Sequence, residues 1–154
     1  MKSKLTIVVL LVIIAGLLYK FVVAGDTRPA PDGRSAIELA PAERAQMLAE
    51  MRDYVLAVQQ IVQGLAQGDA KQIEAAALPV GTRAMKRIRV GTMAKLPYEY
   101  KQATYGMHRD FDNIAVMAHQ GKDTKTIQMK LADAMNRCIS CHASYALAAP
   151  PPAK

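Results

Sequence analysis

The chain has few of the residues on which many common folds and sites are built. Among its 154 residues there is no tryptophan, and there are only two cysteines and three histidines. A core without Trp has to be filled by aliphatic side chains and Met, and two cysteines are too few for a disulfide-rich scaffold. The sequence shows no catalytic constellation of the Ser–His–Asp or paired-carboxylate kind and no phosphate-binding loop. It therefore predicts no enzyme activity.

A long apolar run opens the chain. Lys2 and Lys4 precede residues 5–24, which are apolar except for Thr6 and Lys20, and about twenty such residues can cross a membrane. The end of the run is a poor cleavage site because bulky residues precede it, so residues 1–24 are predicted to be an uncleaved signal anchor. A removed signal peptide is the alternative. The early lysines hold the N-terminus inside, so the rest of the chain is predicted to be exported.

Two segments are predicted to lack regular structure. Residues 25–40 mix Pro, Gly and both charges without periodicity, which predicts a flexible linker. Residues 149–154 include three consecutive prolines and are predicted to form a disordered Pro-rich tail. The domain itself is therefore predicted to span residues 41–148.

The domain sequence has the period of amphipathic helices. Apolar residues recur at spacings of three and four, and helix starts are predicted at Pro41, after Asp69, after Pro97 and after Asp123. Because no segment alternates as a strand would, the predicted fold class is all-α. The predicted architecture is an antiparallel four-helix bundle with an N-terminal membrane anchor helix.

Near the C-terminus the chain carries the motif Cys138-Ile139-Ser140-Cys141-His142. On a helix these spacings bring both thiols and the imidazole to one face. This is the attachment pattern of a c-type haem, in which two thioether bonds join the porphyrin and the histidine binds the iron. The motif predicts one covalently attached haem c, held by Cys138 and Cys141, with His142 as the proximal iron ligand.

Two other uses of a Cys-x-x-Cys pair compete with haem. A zinc site needs four ligands, and outside the motif only His108 and His119 could contribute. On one continuous helix these two histidines would lie about 16 Å apart along the axis, too far to share a metal. A reactive dithiol is expected after a strand, at a helix N-terminus, whereas this pair falls late in a helical stretch. Haem is therefore the favoured hypothesis.

A haem motif at the end of the last helix resembles the class II c-type cytochromes, the cytochrome c-prime family. The resemblance extends over residues 44–145 and includes Arg44, the Met47 to Met51 region, the Gly68-Asp69 turn, the string from Leu96-Pro97 to Phe111-Asp112, and Cys138-x-x-Cys141-His142-x-x-Tyr145. It implies a four-helix bundle with haem between the first and last helices, His142 as proximal ligand, and often a homodimer. The chain departs from the family after Tyr145, where Ala replaces the frequent basic residue.

The resemblance leaves the distal side of the iron open. One branch of the family supplies a Met ligand from its first helix and carries electrons, whereas the other has an apolar residue there and binds NO or CO. Met51 is the favoured distal ligand and Met47 the alternative, while Leu48, four residues after Arg44, resembles the apolar residue of the gas-binding branch. His108 lies one residue off its helix stripe and is predicted at a flank or surface position rather than on the iron.

These patterns predict an exported monohaem c-type cytochrome that carries single electrons between membrane-associated redox partners. The alternative is a five-coordinate gas-binding haem protein of the cytochrome c-prime type. The predicted location is the periplasmic side of the bacterial inner membrane, with the chain anchored at its N-terminus, or soluble in the periplasm if the apolar run is removed. Redox proteins are the expected partners.

The net charge of +7 does not indicate nucleic-acid binding. An exported protein meets no nucleic acid, and the sequence shows neither a helix-turn-helix nor an aromatic-basic motif. A run of basic residues in mid-sequence is more typical of a solvated face, with an acidic redox partner or anionic lipid as the alternative. Its members are Arg83, Lys86, Arg87, Arg89 and Lys95.

Overall fold

The computed structural model describes residues 2–150, without the side chain of Lys2. This part of the chain is mostly helical, as predicted, and contains six α-helices. They are α1 (Lys2–Leu18), α2 (Pro41–Gln67), α3 (Ala70–Ala77), α4 (Val90–Lys95), α5 (Tyr98–His119) and α6 (Thr124–Ser144). A π-helical turn follows α1 at Tyr19–Ala24, and 3-10 turns lie at Leu78–Val80 and Thr82–Arg87. Most of the predicted tail, residues 151–154, lies outside the described residues.

The N-terminal helix has the length and composition of a membrane span. Within Ser3–Ala24 an 18-residue window reaches a mean hydropathy of 2.8, and none of it is buried against the rest of the protein. Because a signal sequence has the same features, this finding establishes an apolar N-terminal helix that could serve either role.

A small sheet crosses the region predicted to be a linker. It consists of β1 (Thr27–Pro29), β2 (Ser35–Glu38) and β3 (Tyr145–Ala148), with β1 antiparallel and β3 parallel to β2. The structure thus differs from the flexible linker expected over 25–40 and from the strand-free fold expected for the whole chain. Strands of three or four residues are too short to show a two-residue period, and β2 finds its parallel partner more than 100 positions further along the chain.

All four predicted helix starts are confirmed, and three of them have a capping contact. The Asp69 carboxylate accepts a hydrogen bond from the Gln72 amide at 3.0 Å, and Asp123 accepts one from the Thr126 amide at 2.9 Å. At the start of α2, Glu43 accepts from the Ala40 amide at 2.8 Å. Each contact satisfies an amide that has no partner inside the first helical turn.

Two groups of buried side chains form the core. The larger one joins α2, α3, α5 and α6, and includes Ile61, Ile73, Phe111, Ile114 and Leu131. The smaller one lies where α2 and α5 begin, and contains Ile37, Leu39, Met47, Ile88, Leu96 and Tyr100. Because Ile37 and Leu39 are fully buried, the segment before α2 is part of the folded domain.

An acidic side chain on α5 joins that helix to α6. Asp110 is buried and lies 2.6 Å from both Lys130 Nζ and Arg137 Nε. Burial raises the pKa of Asp110, but the hydrogen bonds from Lys130 and Arg137 outweigh it, and the pKa lies below its usual value. The charged form of Asp110 therefore stabilises the packing of α5 on α6.

We expect Asp110→Asn to lower the free energy of unfolding at pH 7 by about 2 kcal/mol, because it removes a buried charge that two partly exposed cations contact. A lowered pKa gives stability that is fully present above the unfolded value of about 4 and is lost as the pH falls through the folded value. The difference between variant and parent should therefore shrink on acidification below about pH 4. Urea unfolding at several pH values checks this.

Asp53→Asn is the matched control for that measurement. Asp53 faces Arg87 at 4.0 Å, and both side chains are more than half exposed. A pair of this kind contributes about 0–1 kcal/mol. Equal losses of stability in the two variants would contradict the role given to Asp110.

Candidate functional site

The Cys-x-x-Cys-His motif occupies the last two turns of α6. Cys138 and Cys141 are free thiols and partly buried, and His142 lies two residues before the end of the helix. Among the described residues, no protein group forms a hydrogen bond with the His142 ring. The helix thus brings two thiols and an available imidazole to one face, as the spacing predicts.

A cavity of about 360 Å³ opens beside this face. Its volume falls in the range of about 300–1,000 Å³ that is typical of small-molecule sites, and its surface is almost entirely apolar. The walls come from α2, α5 and α6. They consist of Met47, Glu50, Met51, Tyr54, Val55, Val58, Tyr100, Ala103, Thr104, Met107, Met135, Arg137, Cys138, Ile139, Cys141 and His142.

A second, smaller cavity of about 190 Å³ continues the first. The two share Met51, Tyr100, Cys141 and His142. The second adds two arginines, Arg34 and Arg44, together with Leu48, Tyr145, Ala146 and Leu147. The combined space is therefore apolar along most of its length and basic at one end, which suits a flat apolar molecule with acidic groups on one edge.

The structure brings both predicted distal methionines to this space. Met47 is 4% exposed and packs in the smaller core group, whereas Met51 is only half-buried and borders both cavities. Leu48 borders the second cavity but not the first. All three candidates from α2 thus lie on the same side of the site, across from the motif.

Burial keeps the two thiols protonated. It raises the pKa of Cys138, and burial together with the neighbouring Cys138 raises the pKa of Cys141 to about 11. A dithiol that exchanges disulfides needs a thiol pKa lowered towards neutrality by a helix N-terminus or a nearby cation. This environment has the opposite effect, so it argues against a thioredoxin-like dithiol.

His108 is not at the surface, where the sequence led us to expect it. It is fully buried, with Nδ1 2.7 Å from the Val80 carbonyl oxygen and Nε2 3.2 Å from the Tyr54 hydroxyl. Polar partners on both ring nitrogens compensate for the loss of water. These partners come from the 3-10 turn after α3 and from α2, and no local pattern around His108 shows them.

His119 is exposed, with three quarters of its side chain accessible. Over residues 2–150 no group of three or more His, Cys, Asp or Glu side chains converges as a metal site would require.

Arg34 is a site residue that sequence reasoning missed, because it lies in the expected linker. Its Nη1 donates to the carbonyl oxygens of His142 and Tyr145, both at 3.2 Å, and Asp32 holds its other side at 2.7 Å. The last carbonyls of a helix have no partner within that helix, so Arg34 caps the end of α6. The next residue, Ser35, begins β2, which pairs with β3 from Tyr145 onwards.

The other basic residues of the site have separate partners. Arg44 Nε donates to the Leu147 carbonyl oxygen at 3.0 Å, and Arg44 also borders the second cavity. Arg137 borders the first cavity and pairs with Asp110. Tyr145 packs its ring edge-on against Tyr100, with 5.4 Å between ring centroids, and so closes the end of the site.

Comparisons with protein-family models, with curated proteins and with solved structures found no match to this chain.

The thiol environment predicts how haem-free protein reacts with iodoacetamide. With a pKa of about 11, Cys141 should be alkylated at pH 8 about a hundredfold more slowly in the folded chain than in the urea-unfolded chain, because only the thiolate reacts. Quenched-flow labelling followed by peptide mass analysis measures both rates. Faster alkylation in the folded chain would indicate an activated thiol and would favour a dithiol function.

Proposed function

We propose that this protein is a membrane-anchored monohaem c-type cytochrome that carries single electrons between membrane-associated redox partners. The observation that carries the proposal is the apolar cavity of about 360 Å³ whose wall includes all three reactive side chains of the Cys-x-x-Cys-His motif. A motif alone could arise by chance, but a chance motif is not expected to border an apolar cavity of the size of a ligand.

The described residues fit a covalent haem. Cys138 and Cys141 would form the thioether bonds, and His142 would bind the iron as the proximal ligand. Haem supplies a reversible one-electron couple. The chain's own contribution is to exclude water with the apolar walls, to orient His142 through the Arg34 cap, and to offer Arg44 to acidic groups at the basic end.

Met51 is the distal ligand in this proposal, with Met47 as the alternative. Met51 borders both cavities and is only half-buried, so its thioether is available to a molecule in the site, whereas Met47 is already packed in the core. A thioether stabilises ferrous iron and raises the reduction potential. Leu48 borders the second cavity, as His142 does, which supports the second candidate function, a five-coordinate haem protein that binds NO or CO.

The architecture we propose for the domain is an antiparallel four-helix bundle of α2, α3, α5 and α6. Cross-helix contacts support it, since Met107 on α5 meets Cys138 on α6 at 3.8 Å between sulfurs and Asp110 meets Arg137. In antiparallel neighbouring helices, the residue numbers of contacting residues increase along one helix and decrease along the other. The proposal that two copies of the chain form a homodimer is supported only by the resemblance.

We further propose that α1 remains as the anchor and that the domain lies on the periplasmic side of a bacterial inner membrane. The apolar helix and the two lysines in its first turn, Lys2 and Lys4, support this orientation. Covalent haem attachment of this type is carried out on that side, and thioether bonds leave no thiol free to oxidise.

The first experiment is intact-mass analysis of protein matured in a host that attaches haem c. We expect a mass equal to that of the full chain plus one haem, and a Soret band that stays with the protein. Cys138→Ala combined with Cys141→Ala should lose both. Ser140→Ala is the matched control, because Ser140 lies between the thiols and is exposed. A mass showing two free thiols and no cofactor would overturn the proposal.

The distal ligand is tested by replacing Met51 with Leu, which has a similar volume. We expect the sulfur-to-iron charge-transfer band of the oxidised protein to disappear and the reduced protein to bind CO. Met129→Leu is the control, since Met129 is an exposed methionine on α6. If Met47→Leu has these effects instead, Met47 is the ligand. If the parent itself binds CO and lacks the band, the gas-binding alternative holds.

A further inference from the structure

The segment that leaves α1 is packed directly on the start of α5. Lys101 Nζ donates to the carbonyl oxygens of Phe21 and Val22, at 3.1 and 3.4 Å. The Asp26 amide donates to the Lys95 carbonyl oxygen at 2.7 Å, just before α5 begins. These contacts leave no flexible length of chain between the apolar helix and the domain.

Gly25 is the point of closest approach. Its φ of +65° favours glycine, and a Cβ there would collide with the Lys95 carbonyl oxygen and lie 2.7 Å from atoms of Leu96 and Pro97. No side chain fits in that gap, so the close packing depends on the glycine. Gly33, in the loop before β2, has a similar φ of +85° but no neighbour within 4 Å.

This contact lies at the same end of the domain as the cavities. Tyr100, on the first turn of α5, borders both cavities and is the residue next to Lys101. Met107 is the last α5 residue on the cavity wall, so the cavity extends only about 10 Å along α5 from Lys101. We call this the cavity end, defined by Met47, Tyr100 and His142.

Two exposed tyrosines flank the same place. Tyr19 is 63% exposed at the end of the apolar run, and Tyr98 is 48% exposed at the first residue of α5. Tyrosine is enriched where a membrane meets water, because its ring is apolar and its hydroxyl polar. Lys20 follows Tyr19 in the chain, and its ammonium lies 2.8 Å from Asp26.

We propose that the cavity end of the domain rests on the lipid surface of the membrane that α1 crosses. This rests on the proposed function, in that α1 is an uncleaved anchor and the cavity holds the haem. The domain does not swing on a long arm but is held by the Gly25 contact with its haem close to the bilayer surface. Its electron-transfer partner then has to bring a redox centre to that surface.

Spin-label accessibility in vesicles tests the orientation. Gln102→Cys and Gln120→Cys place single labels on exposed positions at opposite ends of α5, about 27 Å apart along its axis. Full-length holoprotein is inserted into phosphatidylcholine vesicles with Ni²⁺-chelating headgroups. We expect the label at 102 to be relaxed several-fold more strongly by headgroup Ni²⁺ than the label at 120. Equal relaxation would overturn the proposal.

Glycine variants test the contact itself. Gly25→Ala should reduce the relaxation at position 102 towards that at 120, whereas Gly33→Ala, which has the same kind of backbone but open space, should leave it unchanged. The haem absorption spectrum is recorded for every sample. Absence of haem would count against the proposed function, while a normal spectrum without the 102-to-120 contrast would count against this orientation alone. Mature protein that lacks α1 would also refute the orientation.

Discussion

An apolar cavity in a small helical domain is the constraint on which the rest of this structure depends. Apolar surface next to water is unfavourable, and the side chains of α2, α5 and α6 leave this apolar space between them unfilled. The Cys-x-x-Cys-His motif lies on the wall of that space. The proposed haem would therefore fill this space in addition to supplying the chemistry.

The motif helix is held at its end by parts of the chain that are distant in sequence. Arg34 caps the carbonyls of His142 and Tyr145, Arg44 contacts the Leu147 carbonyl, and β2 pairs with β3. A side chain that binds a metal needs a fixed orientation. Contacts to the backbone around His142 help to fix the orientation of its imidazole. Because β1 and β2 follow directly from the apolar N-terminal segment, the same strands connect the proposed anchor to the proposed haem site.

Local signals explain what the sequence could predict. The caps at Asp69 and Asp123 and the start at Pro41 follow from side-chain chemistry within one helical turn, and the motif spacing alone predicts a shared face on α6. The sheet and the caps on α6 could not be predicted in this way, since β2 meets β3 and Arg34 meets His142 only after the whole chain has folded. The burial of His108 likewise depends on Tyr54 and Val80, which lie in other elements.

Acid–acetone extraction of the mature protein, followed by absorption spectroscopy in alkaline pyridine, tests the central claim most directly. Two thioether bonds would keep the porphyrin on the chain, so the account predicts that all haem stays with the precipitated protein and shows the spectrum of saturated vinyl positions. A colourless precipitate, with or without haem in the solvent, would contradict it.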